Sequence, residues 1–491
     1  MWLLAQAAEG LGGAEAGGRF SVDAVLAPYV YVFYAAFIVS FLFTPIMRVV
    51  ASHYGIVDKP DGIRKLHREP VAYLGGVAVV LGWLAGMALS RFLVAHYSNT
   101  DGFGQVPPTI PLGIVLGGLI IMLLGLVDDI RGVRPVVKIG GQVAAAGALI
   151  WSGAGTTVAK PLLGNLNERL QIFFHGTTID APTYVPEGFM AVASAVIVIM
   201  LVVFCCNAAN LMDGLDGLCG GVTAIIALGY VFLAVHVATG GSQSLPDDAL
   251  RIIIALALLG GVLGFVPYNF NPASIFMGDT GSMFMGFVIA VMILLLGEVA
   301  SKWLLAALVM FSLPTLDTAL AFVRRYVNKR PFFSADKHHI HHQFLARGLT
   351  VRQTVLFLYS SALVFVALGA VIAFIRTRYA VGMYLVIFGS IIVAAYKMGM
   401  VHEKVKVLEK PNPIGPDDVA SAAPPEGVIE LRPPPAPLPS PASPTSPGPA
   451  APSAAPAPVA VAPAGTWSGV ERRSGLDRRA AARDPATPER S

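Results

Sequence analysis

Residues 190–218 open with Met190-Ala191-Val192-Ala193-Ser194-Ala195-Val196-Ile197-Val198-Ile199-Met200-Leu201-Val202-Val203-Phe204-Cys205-Cys206. They continue with Asn207-Ala208-Ala209-Asn210-Leu211-Met212-Asp213-Gly214-Leu215-Asp216-Gly217-Leu218. The first part carries no charge and approaches the roughly 20 apolar residues that cross a bilayer core as a helix. Its end turns abruptly polar. Asn207, Asn210 and Asp213 follow at three-residue intervals, which stacks them on one helical face. Their amide and carboxylate oxygens can there meet one ligand or hard cation, and the glycines beyond them let backbone approach that ligand closely. An Asp-x-x-Asp pair alone is common, and a polar helix cap accounts for it; the paired asparagines need another reason.

The same pattern recurs outward from this stretch. The chain has 491 residues, 55% hydrophobic and only 13% charged, with a mean hydropathy of +0.68. That composition excludes an ordinary soluble domain and sets the fold class as an all-α polytopic membrane protein. Apolar runs lie near 25–47, 73–97, 111–127, 137–152, 190–206, 219–238, 250–267, 283–297, 302–322, 354–374 and 380–398, about eleven spans by the 20-residue yardstick. Residues 1–24 form an exposed leader, 25–400 the membrane domain, and 401–491 a Pro/Ala-rich tail that builds no core and is expected to be disordered. Leu170 to Phe174 and Thr177 to Tyr184 in the fourth loop suggest a small external β-hairpin.

Basic residues set the orientation. Arg48, Lys59, Arg64, Lys65 and Arg68 fall in the first loop, Arg131, Arg134 and Lys138 in the third, and Arg324, Arg325, Lys329, Arg330, Lys337, Arg347 and Arg352 in the ninth. These odd loops are therefore assigned to the cytoplasm and the N-terminus to the outside; Arg376 and Arg378 in the tenth loop run against the rule. The net charge of +4 is spread over short loops beside spans, which marks topology rather than nucleic-acid binding. Cys205, Cys206 and Cys219 lie in or beside apolar segments, without ligand-like spacing, as small core residues.

Every chemistry-bearing motif falls at the odd-loop face. Asp128-Asp129 closes the third apolar run; paired carboxylates can share a metal or orient a nucleophile, whereas an isolated pair is more often a solvated helix end. Phe276-Met277-Gly278-Asp279-Thr280-Gly281-Ser282 opens another run, placing Asp279 near a helix N-terminus, a location that favours anions, with a simple N-cap as the competing reading. Phe276 offers a stacking face to a nucleobase, although core packing is commoner. Ala335-Asp336-Lys337-His338-His339-Ile340-His341-His342 supplies histidines for zinc, acid–base work or phosphate. No Cys or Glu completes a zinc set, and the adjacent Lys337 favours phosphate. Carboxylates beside hydrocarbon are costly and read as functional.

In this order the strings resemble the polyprenyl-phosphate N-acetylhexosamine-1-phosphate transferases, membrane enzymes of the glycosyltransferase 4 type that start lipid-linked glycan assembly. The resemblance covers roughly residues 28–400. The first loop, Asp58 to Pro70 followed by Gly75-Gly76, looks like the WecA/TagO branch, which uses UDP-GlcNAc; the histidine loop agrees. The pentapeptide-transferring MraY branch typically has three consecutive histidines, then an aromatic residue and Glu, unlike His341-His342-Gln343-Phe344-Leu345 here.

The resemblance implies attack by a polyprenyl phosphate, such as undecaprenyl phosphate, on the sugar-linked phosphate of a UDP-sugar, with Mg²⁺ or Mn²⁺ as cofactor. It implies Asp279 and Asn210 as metal ligands and Asp128 and Asp129 as the pair that positions or deprotonates the lipid phosphate. Asp213 falls near the sugar diphosphate, Asp216 and Phe276 near uracil, and Lys65, Asn207, His339, His341 and His342 among the substrate-binding residues. The partners expected are the UDP-sugar, the polyprenyl phosphate and the bilayer, with no nucleic acid. A homodimer is left open, as is contact of the basic cluster Val470 to Arg479 with anionic lipid or a protein. The expected site is a bacterial cytoplasmic membrane, with the tail inside. Another UDP-sugar (UDP-GalNAc, a modified hexosamine or UDP-MurNAc-pentapeptide) is the nearest alternative. A secondary transporter is the competing class, disfavoured because the charges gather on one face and no clear inverted repeat is visible; a catalytically dead scaffold is disfavoured by the complete acidic set.

Overall fold

The computed structural model describes residues 21–58, 70–100, 110–163, 187–240, 245–329, 339–375 and 377–397. Most of the leader, the suggested hairpin, the tail, Lys65 and His338 lie outside the described residues. The chain divides into units Met1–Val407 and Leu408–Ser491, and the helices below belong to the first.

The apolar runs are helices: α1 Val30–His53, α2 Gly75–Thr100, α3 Leu112–Arg131, α4 Pro135–Trp151, α5 Glu187–Met212, α6 Leu218–Thr239 and α7 Leu245–Asn269. After them come α8 Gly278–Gly297, α9 Ser301–Met310, α10 Ser312–Val327, α11 Ile340–Ala346, α12 Val351–Phe374 and α13 Thr377–Lys397. Among the described residues eight helices are long and apolar enough to cross a membrane, or nine if the bent pair α9 and α10 counts as one span. The chain is thus a multi-pass membrane protein. The bend of 74° between α9 and α10 has a local cause. Pro314 lacks an N–H, and in a continuous helix its ring would clash with the carbonyl of Met310, where α9 stops.

α8 is the central pillar. It packs against α2, α3, α5, α6, α7 and α9, and every residue in it except Asp279 is buried. A helix that is apolar all round belongs in such a place. By contrast α1 and α3 leave Phe41, Leu42, Leu116 and Leu123 exposed on their outer faces, as lipid-facing helices do.

Between α1 and α2 a two-stranded antiparallel sheet pairs Val57–Asp58 (β1) with Val71–Ala72 (β2). Ala72 also bridges Ile275 in parallel, Phe276 N–H donates to Ala72 O at 2.8 Å, and Gly76 N–H donates to Met277 O at 2.9 Å. These bonds tie the start of α2 to the segment entering α8, and so fix the N-terminus of the pillar at the head of the bundle.

Candidate active site

Two helix ends meet at that head: the last turn of α3, with Asp128 and Asp129, and the first turn of α8. The leading N–H groups of a helix have no partner within it, and its positive end attracts an anion. Asp129 answers both needs. Its carboxylate accepts from Asp279 N–H at 2.7 Å, Thr280 N–H at 3.1 Å and Thr280 Oγ1–H at 2.7 Å. The approach leaves no room for side chains. Gly278 has φ +72°, and a Cβ there would stand 2.6 Å from Asp129 Oδ2; a Cβ on Gly125 would stand 2.5 Å from Thr280 N.

Asp128 turns the other way. Val133 N–H donates to its Oδ1 at 2.6 Å, and its Oδ2 is ion-paired with Lys138 of α4. Lys138 Nζ also donates to Asp279 Oδ2 at 2.6 Å. One ammonium thus sits between carboxylates from α3 and α8. Asn210 of α5 donates through Nδ2 to Asp279 Oδ1 at 2.8 Å and to Ser282 Oγ at 3.0 Å. One turn earlier, Asn207 donates to Gln142 Oε1 of α4 at 2.8 Å and to Val203 O at 2.7 Å, bracing α5 against α4.

Asp213 follows the end of α5. Burial first, then the charges of Asp279, Asp129 and Asp216, push its carboxyl up to about 8. Asp216 is spent on the loop before α8: its Oδ2 accepts from Asn271 Nδ2 at 2.9 Å and Ala273 N–H at 3.1 Å. Tyr359 of α12 donates to Gly217 O at 2.5 Å, so α12 holds the same turn. Phe276, half-buried, lies tilted against Tyr73 with centroids 5.9 Å apart.

The histidines form a second corner. Buried Asp317 of α10 lies 3.1 Å by its Oδ2 from His339 Nδ1, and its Oδ1 accepts from Ile340 N–H at 2.9 Å. The His339 and His341 rings stack at 5.6 Å and 5°, and His342, more exposed, lies 4.3 Å from His341 by centroids. The His341 ring packs on Gly214, where an added Cβ would stand 2.6 Å from its Cε1. Its Nε2 is buried with no hydrogen-bond partner among the described residues, and burial pushes the ring down to about 4, so it is neutral at pH 7. A small cavity beside it is lined by Met212, Leu218, Leu313, Leu358, Asp317 and His341.

The structure therefore brings Asp128, Asp129, Asn210 and Asp279 together, with Asn207 behind them, and joins His341 to the Asp213 turn. Asp216 and Phe276 sit on the flanking loop. Sequence reasoning treated Lys138 only as a topological charge and passed over Gln142, Thr280 and Asp317. Lys138 did leave a signal: a cation in the first turn of an apolar helix opposes the helix dipole and so implies carboxylates facing it.

Among the described residues no three His, Cys, Asp or Glu side chains are grouped as a metal cage. A hard cation such as Mg²⁺ does not need one, because it is usually held by one or two carboxylates and substrate phosphates. Asp128 and Asp279 already converge on a single cationic position, that of the Lys138 ammonium, and this donor set fits such an ion.

Residues 111–297 match the family model described as glycosyl transferase family 4. A probable undecaprenyl-phosphate N-acetylglucosaminyl 1-phosphate transferase of Bacillus subtilis is 33% identical over 384 residues, covering 76% of this chain and 94% of the relative. The chain belongs to glycosyl transferase family 4. Two further members mark its neighbourhood. A decaprenyl-phosphate N-acetylglucosaminephosphotransferase of Mycolicibacterium smegmatis is 34% identical over 340 residues, 66% of this chain and 77% of the relative. A phospho-N-acetylmuramoyl-pentapeptide-transferase of Moorella thermoacetica is 30% identical over 331 residues, 64% and 88% respectively. The match to the family model spans α3 to α8, the segment that carries the whole acidic cluster.

Proposed function

We propose that the chain transfers GlcNAc-1-phosphate from UDP-GlcNAc to undecaprenyl phosphate, giving undecaprenyl-diphospho-GlcNAc and UMP, the first step of a lipid-linked envelope glycan. The observation that carries this reading is the meeting of Asp128, Lys138 and Asp279 at the N-terminus of α8, in a chain aligned with nearly all of a relative that bears this activity in its name. A phosphate oxygen of the lipid forms a new bond to the sugar-linked phosphorus. The bond to the UMP oxygen breaks, and UMP leaves with the electron pair.

The lipid phosphate, with a second pKa near ~6, is largely ionised at pH 7, so no strong base is required. The harder task is to bring two anions together. Lys138 supplies attraction, held in place by Asp128 and Asp279, whereas the positive end of α8 is taken by Asp129. Asp129 acts on the frame by fixing the first turn of α8. The neutral His341, its Nε2 unpartnered, is free to bond a sugar or phosphate oxygen beside Asp213. A divalent cation would neutralise diphosphate charge; Asp279 and Asp128 would hold it in place of the Lys138 ammonium, with Asn210 steadying Asp279.

The same reading puts the site on the cytoplasmic face of a bacterial inner membrane and lets α4, the bent pair and α13 complete eleven crossings. UDP-MurNAc-pentapeptide is the second donor reading, favoured by the Moorella relative and opposed by His341-His342-Gln343-Phe344-Leu345. Purified protein given undecaprenyl phosphate and each UDP-sugar in turn decides between them. UMP released from UDP-GlcNAc alone supports the proposal; UMP from another donor changes the substrate, and UDP in place of UMP overturns sugar-phosphate transfer.

A further inference from the structure

Asp317 lies far along the chain from the acidic motifs, on the half of the bent pair that follows the break. It is 3% exposed, and both its oxygens are engaged by the histidine string, one by Ile340 N–H and one by His339 Nδ1. A carboxylate only accepts hydrogen bonds, so the facing Nδ1 of His339 must carry a hydrogen. That leaves Nε2 as the atom the ring offers to anything else. The His339 ring lies parallel to His341, and His341 is seated on Gly214, next to Asp213. The contacts thus run from α10 through Asp317, His339 and His341 to the turn after α5.

We propose that Asp317 is a positioning residue for the transfer: it fixes the tautomer and angle of His339 and, through the ring stack, seats His341 against the Asp213–Gly214 turn. This rests on the sugar-phosphate transferase reading. Asp317 acts through His339 and does not itself touch substrate. Asn at this position keeps the volume but has one acceptor oxygen instead of two, so one N–H loses its partner and His339 is released to carry its hydrogen on Nε2.

The test uses full-length protein labelled with ¹⁵N-histidine in nanodiscs, with His339→Gln identifying the His339 nitrogens by difference. The parent is expected to show a protonated Nδ1 on His339, and Asp317→Asn to move the hydrogen to Nε2. The same variant is expected to lose about 10- to 100-fold in kcat for UMP release, the scale of one hydrogen bond to a charged group. KM for the UDP-sugar should change by less than about two-fold. A bare Nδ1 in the parent overturns the proposal, as does an Asp317→Asn enzyme with parental kcat. Should Asp317→Asn fail to fold, the parent spectrum alone decides the clamp. A parent silent with every UDP-sugar sinks the transferase reading instead, while the nitrogen spectra still judge Asp317.

Discussion

The acidic junction is closed by the half-buried Asp129 and the histidine corner by the buried Asp317, and the two differ in what they leave over. At the junction Asp129 is used up on the first turn of α8, and Asp279 on Lys138 and Asn210. At the corner Asp317 is equally occupied, but the next ring, His341, keeps a buried nitrogen without a partner among the described residues. The first region is a frame that holds charges still. The second lacks one bond, and a buried polar atom without its bond costs about 1–3 kcal/mol, a cost that a ligand oxygen removes.

Within the junction the comparison is sharpest between neighbours. Asp128→Asn or Asp279→Asn is expected to lower turnover by about 10² to 10³, the size of a lost electrostatic stabiliser, with an unfolding midpoint near the parent's. Equal losses from Asp129→Asn at unchanged stability would break the division between frame and chemistry. His341→Gln should come next, with turnover reduced about 10- to 100-fold and folding retained; parental turnover would remove the corner from the site. Asp129→Ala should act on stability first, costing about 1–3 kcal/mol for a lost cap and its bonds, read as a lower unfolding midpoint in detergent.

The pH dependence of stability separates the two regions by sign. Asp213 at about 8 binds its proton more tightly folded than unfolded, so its contribution is full below pH ~4 and is lost as pH rises toward 8. His341 at about 4 binds its proton less tightly folded, so its contribution is full above pH ~6.5 and is lost as pH falls toward 4. Asp213→Asn should flatten the first slope and His341→Gln the second. Parallel slopes that neither substitution alters would contradict the burial assigned to these groups.

Much of this was legible in the sequence because hydrocarbon length and charge placement obey simple rules. The apolar runs became helices, except that the run at 302–322 broke into α9 and α10, and the motifs at 128–129, 207–213 and 279 came together because each terminates or opens one. What escaped were relations between distant residues. Nothing in Asp128-Asp129 says which carboxylate faces the dipole of α8; that follows from the glycines at 125 and 278, which let the two helix ends approach. Asp317 sits within an ordinary amphipathic stretch, and its partner His339 lies 22 residues further along the chain. The two-residue strands at Val57–Asp58 and Val71–Ala72 are too short to leave a period. The bend at Phe311 was foreshadowed only by Pro314.

The decisive assay is UMP release by purified protein with UDP-GlcNAc, undecaprenyl phosphate and Mg²⁺, run beside Asp279→Asn. Release that needs both lipid and metal, and falls at least about 10²-fold in the variant, is the expected result. Release that persists in Asp279→Asn, or proceeds without the lipid or the metal, would contradict the assignment of this cluster as the reacting centre.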